Sequence, residues 1–323
     1  MDKKMQRALV AAGIALAGAA VGAAALGIRS LHCLQVLRTK NGLGWVREVA
    51  APDGVPVRVL QQGGVYQSAS YTGERWAEPV FTYYRGFDAL LAAAPALGHP
   101  VRRVLMVGGG GFAYPKHLLT TQRDIHMDVV ELDPAVVRAA RRWFYLDELE
   151  RLLADPATAQ GNSLSVVEGD GRAFLEARAD AVSSGAAARS VARDAACAGL
   201  RYDAVINDAF AGAEPVRALA TEEAARAARS CLAPGGVYLM NVVSCEGGAD
   251  LTFLRDEVAT LARVFARIHV LHETDFTFGG EDNYLVIATD GGTAYPDAIP
   301  YDAAFLGAAL HDDPMAPSRA GDR

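Results

Sequence analysis

Four consecutive glycines between an apolar run and a helix-like segment are the feature that most limits how this chain can fold. They lie in the stretch RVLMVGGGGFAYPKHLL, Arg103 to Leu119. The apolar run before them, Val104–Val107, is typical of a buried parallel strand. A glycine run costs backbone entropy, so it persists where the main chain turns tightly or approaches another group closely. A strand, a glycine-rich turn and a helix form a cradle for a nucleotide-like ligand, although a β–α turn without a ligand has the same local signature.

Strand-like and helix-like segments alternate along the chain from residue 101 onward. This alternation is typical of a doubly wound α/β sheet. The last two strands follow each other closely, which predicts an antiparallel hairpin at the edge of the sheet. We therefore predict a seven-stranded Rossmann-like sheet of the class I methyltransferase type. Its strands are expected at 102–107, 126–131, 163–168, 203–207, 235–243, 266–272 and 283–289.

Composition divides the chain into four regions. Residues 42–97 contain short β-like runs separated by turn signals, followed by a helical pattern over 81–97, and predict a small β unit plus a helix. Residues 98–290 are the predicted Rossmann-like domain that binds an adenosyl ligand. Residues 291–323 form a tail rich in Pro, Asp and Gly, which is predicted to be poorly ordered. Residues 1–41 are the predicted N-terminal anchor and linker.

The N-terminal region contains an apolar segment, Ala8–Ile28, of 21 residues without a charge. That length is sufficient to cross the hydrocarbon core of a bilayer. Its richness in Ala and Gly leaves a secretory signal peptide as an alternative, with cleavage near Ala23–Ala25. Basic residues lie on both sides of the segment, so the positive-inside rule does not settle its orientation. We expect an uncleaved transmembrane segment with a single N-terminal pass.

Charge and cysteine content exclude two classes of function. The net charge is −7, without a long compensating basic run, and this argues against a nucleic-acid-binding protein. The four cysteines show no CxxC or CxxH spacing, so neither a zinc site nor a disulfide framework is indicated. We expect no metal.

Acidic residues follow three successive predicted strands. Glu131 lies about twenty residues after the glycines, in DVVELDP, and a carboxylate there can accept hydrogen bonds from both hydroxyls of a ribose. Asp170 precedes Gly171 in VVEGDGRAF and either accepts from an exocyclic adenine amine or caps the next helix. Asp208 follows the fourth strand in YDAVINDAF. Three acids beside a glycine cradle predict that the glycines let the backbone approach an adenosine-type ligand.

These motifs resemble those of the polyamine aminopropyltransferases, of which spermidine synthase is the type, and especially the spermidine-synthase-like domains attached to membrane segments. The similarity runs from about Val55 to Thr289. VLMVGGGG, VVELDP, EGDGRAFL and YDAVINDAF stand where the family has its glycine motif, ribose-binding Glu, adenine-binding Asp-Gly and catalytic strand. LQQGGVYQ is similar to the family's L-x-x-D-G-x-x-Q, and EPVFTYYRGF stands where the family has E-F-x-Y-H-E. The resemblance implies that the adenosyl ligand contacts Gln67, Gly108, Gly109, Gly110, Gly111, Glu131, Asp170 and Gly171, and that Tyr83 lies in the substrate pocket.

The chain departs from the family pattern on the acceptor side. Gly111 stands where the family has an Asp that binds the amino group of the aminopropyl chain. The family's D-S-S-D-P is replaced by a run in which Asp208 keeps its place and Glu214-Pro215 is the next carboxylate–proline pair. Because both substrates of aminopropyl transfer are cations and the amine must lose its proton, fewer carboxylates weaken the reaction with putrescine. Asp208 is the predicted catalytic residue. Glu214 is a candidate substitute on the substrate side, with a solvated turn residue as the alternative, because a Glu before Pro in a loop is more often of that kind.

The leading interpretation is a membrane-anchored transferase that binds S-adenosylmethionine, its decarboxylated form or methylthioadenosine and transfers an aminopropyl group to an amine. A methyltransferase that uses S-adenosylmethionine is the first alternative, because the absence of an acid at Gly111 removes a repulsive neighbour of the ligand's carboxylate. A nucleoside-binding protein with impaired catalysis is the second. The expected partners are a small amine acceptor, the membrane through Ala8–Ile28, and a second copy in a homodimer. The expected location is the membrane, with the catalytic domain in the cytoplasm.

Overall fold

A computed structural model describes residues 29–51, 54–184, 201–211, 214–243, 250–274 and 282–313. Thirteen strands lie in these ranges, in three sheets. They are β1 (Arg29–Thr39), β2 (Gly42–Ala50), β3 (Pro56–Gln62), β4 (Val65–Tyr71), β5 (Arg103–Val107), β6 (His126–Glu131), β7 (Ser163–Glu168), β8 (Tyr202–Asn207), β9 (Phe210–Ala211), β10 (Glu214–Pro215), β11 (Leu232–Val243), β12 (Arg267–Thr274) and β13 (Asp282–Thr289).

The helices of the described ranges fall mostly between the strands of the largest sheet. Three short 3₁₀ segments, besides the one described below, lie at Gly73–Arg75, Arg217–Leu219 and Ala303–Phe305. The α-helices are α1 (Tyr83–Gly86), α2 (Ala94–Leu97), α3 (Ala113–Thr121), α4 (Pro134–Trp143), α5 (Leu146–Ala154), α6 (Pro156–Ala159), α7 (Gly171–Ser184), α8 (Glu222–Cys231) and α9 (Thr252–Ala262).

The largest sheet has seven strands in the order β12-β13-β11-β8-β5-β6-β7. The pairs among β11, β8, β5, β6 and β7 are parallel, whereas β13 runs antiparallel to both β11 and β12. Alternate residues of a central strand enter two different cores: Val104 and Met106 pack in one, and Leu105 and Val107 in the other. Burial on both faces explains why these strands read as continuous apolar runs. The predicted α/β class and the antiparallel edge hairpin are confirmed.

The small N-terminal sheet is an antiparallel meander in the order β1-β2-β3-β4. It begins at Arg29, inside the region predicted as anchor and linker, because β1 pairs with β2 along its whole length, from Arg29 opposite Ala50 to Thr39 opposite Gly42. Buried Leu37 packs in a cluster with Phe144 of the segment between α4 and α5. The sheet is therefore fixed against the larger domain by β1, a strand that the sequence pattern did not reveal.

The helix predicted over 81–97 is three consecutive helical segments. A 3₁₀ segment, Phe87–Ala93, separates α1 from α2. Buried Phe87 and Leu90 hold the 3₁₀ segment in the core, and Pro95 lies at the start of α2, where its missing N–H costs nothing. The break places α1, which carries Tyr83, at the edge of the ligand pocket described below.

The tail was predicted to be poorly ordered, and as far as Asp313 this prediction is wrong. The backbone N–H of Gly307 donates to the carbonyl of Arg255 at 3.0 Å, and the N–H of Glu222 donates to the carbonyl of Leu310 at 2.8 Å. These bonds fix an irregular segment against α8 and α9. The low hydrophobicity of this segment was misleading, because hydrogen bonds to the helices, rather than a core of its own, hold it in place.

The predicted membrane location with a single N-terminal pass is contradicted. In the ranges that the structure describes, no helix combines the length and the apolar character needed to cross a bilayer. Ala8–Ile28, the segment on which the prediction rested, lies outside those ranges.

Lys116 of α3 has a buried amine next to the small sheet. Its side chain is almost inaccessible, with 1% of the residue exposed. The Nζ atom donates to the Oγ of Ser70 and to the backbone carbonyl of Phe144, both at 2.8 Å. Both acceptors are neutral, and burial lowers the pKa of Lys116 to about 7. The amine therefore joins α3 to β4, and it releases its proton at a much lower pH than it would in water.

We expect Lys116→Met to flatten the dependence of stability on pH. The unfolded chain holds the proton on Lys116 up to a pKa near 10.5, whereas the folded chain releases it near 7, so stability rises with pH between these values. The slope is at most about 1.4 kcal/mol per pH unit, and urea unfolding at pH 7, 8 and 9 measures it. Lys40→Met, at an exposed lysine, is the control that keeps the slope. An unchanged slope in Lys116→Met would contradict the assignment.

Candidate active site

The glycine turn holds the main chain close to the end of β8. Gly108 has φ +95°, and a Cβ there would lie 2.3 Å from the backbone oxygen of Asp208. A Cβ at Gly109 would lie 2.9 Å from the ring of Phe112, which itself has φ 55°. Gly108 is thus required both by its left-handed conformation and by the close approach of two strand ends. The turn brings its backbone amides to the carboxyl edge of the sheet.

Glu131 is the last residue of β6 and is 9% exposed. One carboxylate oxygen accepts the N–H groups of Gly109 and Gly110, both at 2.9 Å. The other accepts the N–H of Asp133 at 3.0 Å. Three backbone donors therefore fix this carboxylate at the wall of the pocket, and the carboxylate in turn fixes the glycine turn.

Asp208 directly follows β8, and its carboxylate makes hydrogen bonds with two polar side chains. Oδ1 accepts from the amide Nδ2 of Asn241 at 2.9 Å, and Oδ2 accepts from the hydroxyl of Tyr83 at 3.4 Å. Burial raises the pKa of Asp208 to about 6, although both hydrogen bonds act in the opposite direction. A carboxylate that titrates near neutrality can both accept and release a proton at physiological pH, as a general base must.

Tyr83 and Tyr84 form the aromatic side of the pocket. Their ring centroids are 4.2 Å apart, and the hydroxyl of Tyr84 lies 3.4 Å from the Oγ of Ser68. Burial, reinforced by the charge of Asp208, raises the pKa of both tyrosines well above its ordinary value. Both hydroxyls are therefore neutral at physiological pH, and that of Tyr83 is a donor to Asp208.

Asp170 follows β7 and caps the next helix. Its Oδ1 accepts the N–H of Ala173 at 3.0 Å, in the first turn of α7. The capping interpretation is thus observed, and Asp170 also lines the pocket. The neighbouring Gly171 has no room for a side chain, because a Cβ there would lie 2.2 Å from a methyl group of Val107. Close packing of α7 on β5 therefore needs a glycine at this position.

One pocket at the carboxyl edge of the sheet brings together most of the residues predicted from the sequence. Gly111 is not among the described residues that line it. The backbone of Glu214 pairs with that of Ala211, and the side chain of Glu214 lies outside the described part of the chain. The roles of the lining residues stay predictions. The predicted residues in the lining are Gln67, Tyr83, Gly108, Gly109, Gly110, Glu131, Asp170, Gly171 and Asp208.

Sequence reasoning missed two polar residues of this region. Asn241 holds the carboxylate of Asp208, and the signal that could have found it is a single amide inside the apolar run VYLMNVV. Arg172 also lines the pocket although it is 7% exposed. The sequence around Arg172 indicates only the partner four residues on, Glu176, since its other partners, Ala218, Thr221 and Asp312, come from distant segments.

Gly111 is closed off from the pocket by β4. A Cβ there would lie 2.7 Å from the Oγ of Ser68 and 3.1 Å from the ring of Phe144. Ser68 and Phe144 thus occupy the space that an aspartate would need, so the packing here fits only a glycine.

We expect Gly111→Asp to lower the melting temperature by several degrees, because the added side chain overpacks a filled site at a cost of about 1–3 kcal/mol. Gly111→Asp combined with Ser68→Ala should recover part of the loss. Thermal unfolding of the four proteins of this double-mutant cycle measures the coupling. Additive losses would show that Ser68 does not occupy the space.

Comparison with known proteins identifies the family. A family model for the spermine/spermidine synthase domain matches residues 86–246. The chain belongs to the spermine/spermidine synthase family. The predicted family is therefore confirmed. The comparisons give no support to its membrane-attached branch.

A relative of this family and two solved structures illustrate the likeness. A polyamine aminopropyltransferase from Vibrio vulnificus (strain CMCP6) is 26% identical over 210 residues, which cover 65% of this chain and 57% of the relative. A probable spermidine synthase from Corynebacterium glutamicum ATCC 13032 is 20% identical with a TM-score of 0.60, over 88% of this chain and 98% of that one. A spermidine synthase in complex with the transition-state analogue AdoDATO is 16% identical with a TM-score of 0.58, over 88% and 82%. The two structures show a common fold, and the chain spans less than two thirds of the length of the Vibrio relative.

Proposed function

We propose that the protein is an aminopropyltransferase that moves an aminopropyl group from decarboxylated S-adenosylmethionine to a small amine. The observation that carries this proposal is the position of Asp208, a buried carboxylate held by Tyr83 and Asn241 in the same pocket as the glycine turn and Glu131. One part of the pocket suits an adenosyl group, and the other provides a base.

The adenosyl side of the pocket provides donors and acceptors that fit a nucleoside. Glu131 would accept hydrogen bonds from the ribose hydroxyls, because its carboxylate is already fixed at the pocket wall. Val130, Val216 and Leu219 line the same pocket, and their side chains would contact the apolar faces of the adenine ring. Gly108 and Gly171 let the pocket wall pack closely, because a Cβ would lie 2.3 Å from the backbone oxygen of Asp208 at the first position and 2.2 Å from a methyl group of Val107 at the second.

The acceptor side provides the base that the reaction requires. The nitrogen lone pair of the amine attacks the methylene carbon bonded to the sulfonium, a C–N bond forms, and the C–S bond breaks with its electron pair going to sulfur. Methylthioadenosine leaves, and the proton of the amine passes to Asp208. The pKa of about 6 makes Asp208 mainly ionised at pH 7, so it can pair with the cationic amine and accept its proton. Tyr83 and Asn241 keep the carboxylate in one orientation.

A second candidate is methyl transfer from S-adenosylmethionine, and Gly111 is the observation that favours it. The side-chain space at Gly111 is filled by Ser68 and Phe144. No carboxylate at this position repels the ligand's own carboxylate, as the family's aspartate would.

The test is incubation of the purified protein with decarboxylated S-adenosylmethionine and a panel of mono-, di- and polyamines, with methylthioadenosine release as the readout. We expect release that depends on the amine and saturates with it. A parallel arm replaces the donor with S-adenosylmethionine and follows S-adenosylhomocysteine.

The outcomes separate the candidates. Release of S-adenosylhomocysteine alone would replace aminopropyl transfer with methyl transfer. Tight binding of adenosyl ligands without either product would indicate a nucleoside-binding protein. Absence of any adenosyl binding in calorimetry would overturn all three.

A further inference from the structure

The segment from Asp302 to Asp312, called here the C-terminal strap, crosses α9 and α8 and ends beside the ligand pocket. The guanidinium of Arg255 donates to the carbonyl of Phe305 at 2.7 Å. The N–H of Leu310 donates to the hydroxyl of Thr260 at 2.8 Å. Successive bonds of this kind fix the course of the strap, so its last residues have a defined position.

Asp312 ends the strap in contact with two buried side chains. Its carboxylate accepts two hydrogen bonds from the guanidinium of Arg172, at 3.0 and 2.8 Å. The hydroxyl of Thr221 donates to the same carboxylate at 2.8 Å. Bidentate pairing of this kind fixes the plane of a guanidinium as well as its charge.

Arg172 connects two walls of the pocket. It follows Gly171 in the first turn of α7, and its Nη1 donates to the carbonyl of Ala218 at 2.9 Å and to the hydroxyl of Thr221 at 3.1 Å. The pocket-lining residue Leu219 follows Ala218 directly. One guanidinium therefore joins the start of α7 to the segment around Ala218, which follows β8.

The carboxylate of Asp312 is important because this guanidinium is buried. The Arg172 side chain is 8% exposed, whereas the side chains of its acidic partners, Asp312 and Glu176, are 45% and 52% exposed. Glu176 accepts only from Nε, at 2.7 Å, so Asp312 is the carboxylate that pairs with the two Nη atoms. Removing one partner from a buried ion pair leaves a charge that must be solvated elsewhere. A long arginine side chain can reach water by turning, and here the pocket that Arg172 lines is the adjacent space.

We propose that Asp312 is a positioning residue that acts through Arg172 to fix the pocket wall beside an adenosyl ligand. The identity of the ligand rests on the proposed function. The strap contributes no atom to the reaction. It determines whether Asp170, Gly171 and Leu219 are correctly placed before the ligand binds.

The experiment is calorimetric titration of the full chain with methylthioadenosine, for the unchanged protein, Asp312→Asn and Asp312→Glu. We expect Asp312→Asn to raise Kd about tenfold or more, because an amide pairs weakly with a buried guanidinium, and Asp312→Glu to restore part of the affinity. Arg255→Met is the matched control, because it removes the strap's bond at Phe305 but keeps the bonds that fix its end, from the N–H of Leu310 to Thr260 and from the N–H of Asp312 to Glu223. Its Kd should equal that of the unchanged protein even if its melting temperature falls.

A double-mutant cycle separates positioning from general stability. In an Arg172→Met background, Asp312→Asn should leave Kd unchanged, since the carboxylate acts only through the guanidinium. An unaltered Kd in Asp312→Asn, or an equal loss in Arg255→Met, would overturn the inference while the proposed function stands. Absence of methylthioadenosine binding in the unchanged protein would overturn the proposed function and the inference with it.

Discussion

Asp208→Asn is expected to lower turnover by about 10²–10⁴-fold, which is the usual contribution of a general base. The substitution keeps the size of the side chain, with an oxygen that can accept from Asn241 and an NH2 group that can donate to the hydroxyl oxygen of Tyr83, so the pocket should keep its shape. The affinity for methylthioadenosine should therefore change little. Methylthioadenosine release measures turnover, and calorimetry measures the affinity.

The dependence of this activity on pH gives a second readout. Burial raises the pKa of Asp208 to about 6, and only the ionised carboxylate can accept a proton, so this group should make kcat/KM rise with pH through about 6 and level off above it. Asp180→Asn, at an exposed residue of α7, is the control that keeps both the rate and the profile. If Asp208→Asn retained full turnover, the base would have to be sought elsewhere.

Glu131→Ala is expected to raise the Kd of an adenosyl ligand roughly 30- to 1,000-fold, or about 2–4 kcal/mol. Two effects add in the same direction. The ribose hydroxyls lose a charged acceptor, and the N–H groups of Gly109 and Gly110 lose the carboxylate that orients the turn. Titration with methylthioadenosine measures the loss.

Glu131→Gln distinguishes these effects from a failure to fold. It keeps one oxygen for the glycine amides, so its melting temperature should stay closer to that of the unchanged protein than that of Glu131→Ala. Glu168→Gln is the matched control, because Glu168 is exposed and ends the neighbouring strand in register with Glu131. Equal affinities for Glu131→Gln, Glu168→Gln and the unchanged protein would make Glu131 a purely structural residue.

The parallel sheet and most of the pocket could be predicted because both depend on local signals. Strands such as β5 and β8 are buried on both faces and read as apolar runs, and β6 and β7 were predicted with the bounds that the structure shows. A polar residue directly after such a strand must lie at the carboxyl edge of the sheet, whatever the rest of the chain does. Glu131 and Asp208 were therefore brought to one pocket by topology alone.

The parts that could not be predicted depend on partners that are distant in sequence. β1 is defined by its pairing with β2 and by the packing of Leu37 near Phe144. Asn241 acquires its role from a contact with Asp208, 33 residues away. Gly111 was recognised as a departure from the family pattern, but only the packing of Ser68 shows that the space has been filled. Pattern and propensity carry no information on such pairs.

The bond between Arg172 and Asp312 joins residues that are 140 positions apart in the chain. At a synthesis rate of about 5–20 residues per second, Arg172 is made roughly 7–28 seconds before its partner. During that interval the guanidinium can donate to Ala218 and Thr221 but has no Asp312 to pair with. We therefore expect nascent chains that stop after β13 but before Asp312 to form the sheet and to bind an adenosyl ligand about tenfold or more weakly than the finished chain, so that the wall at the start of α7 is the last part of the pocket to be fixed.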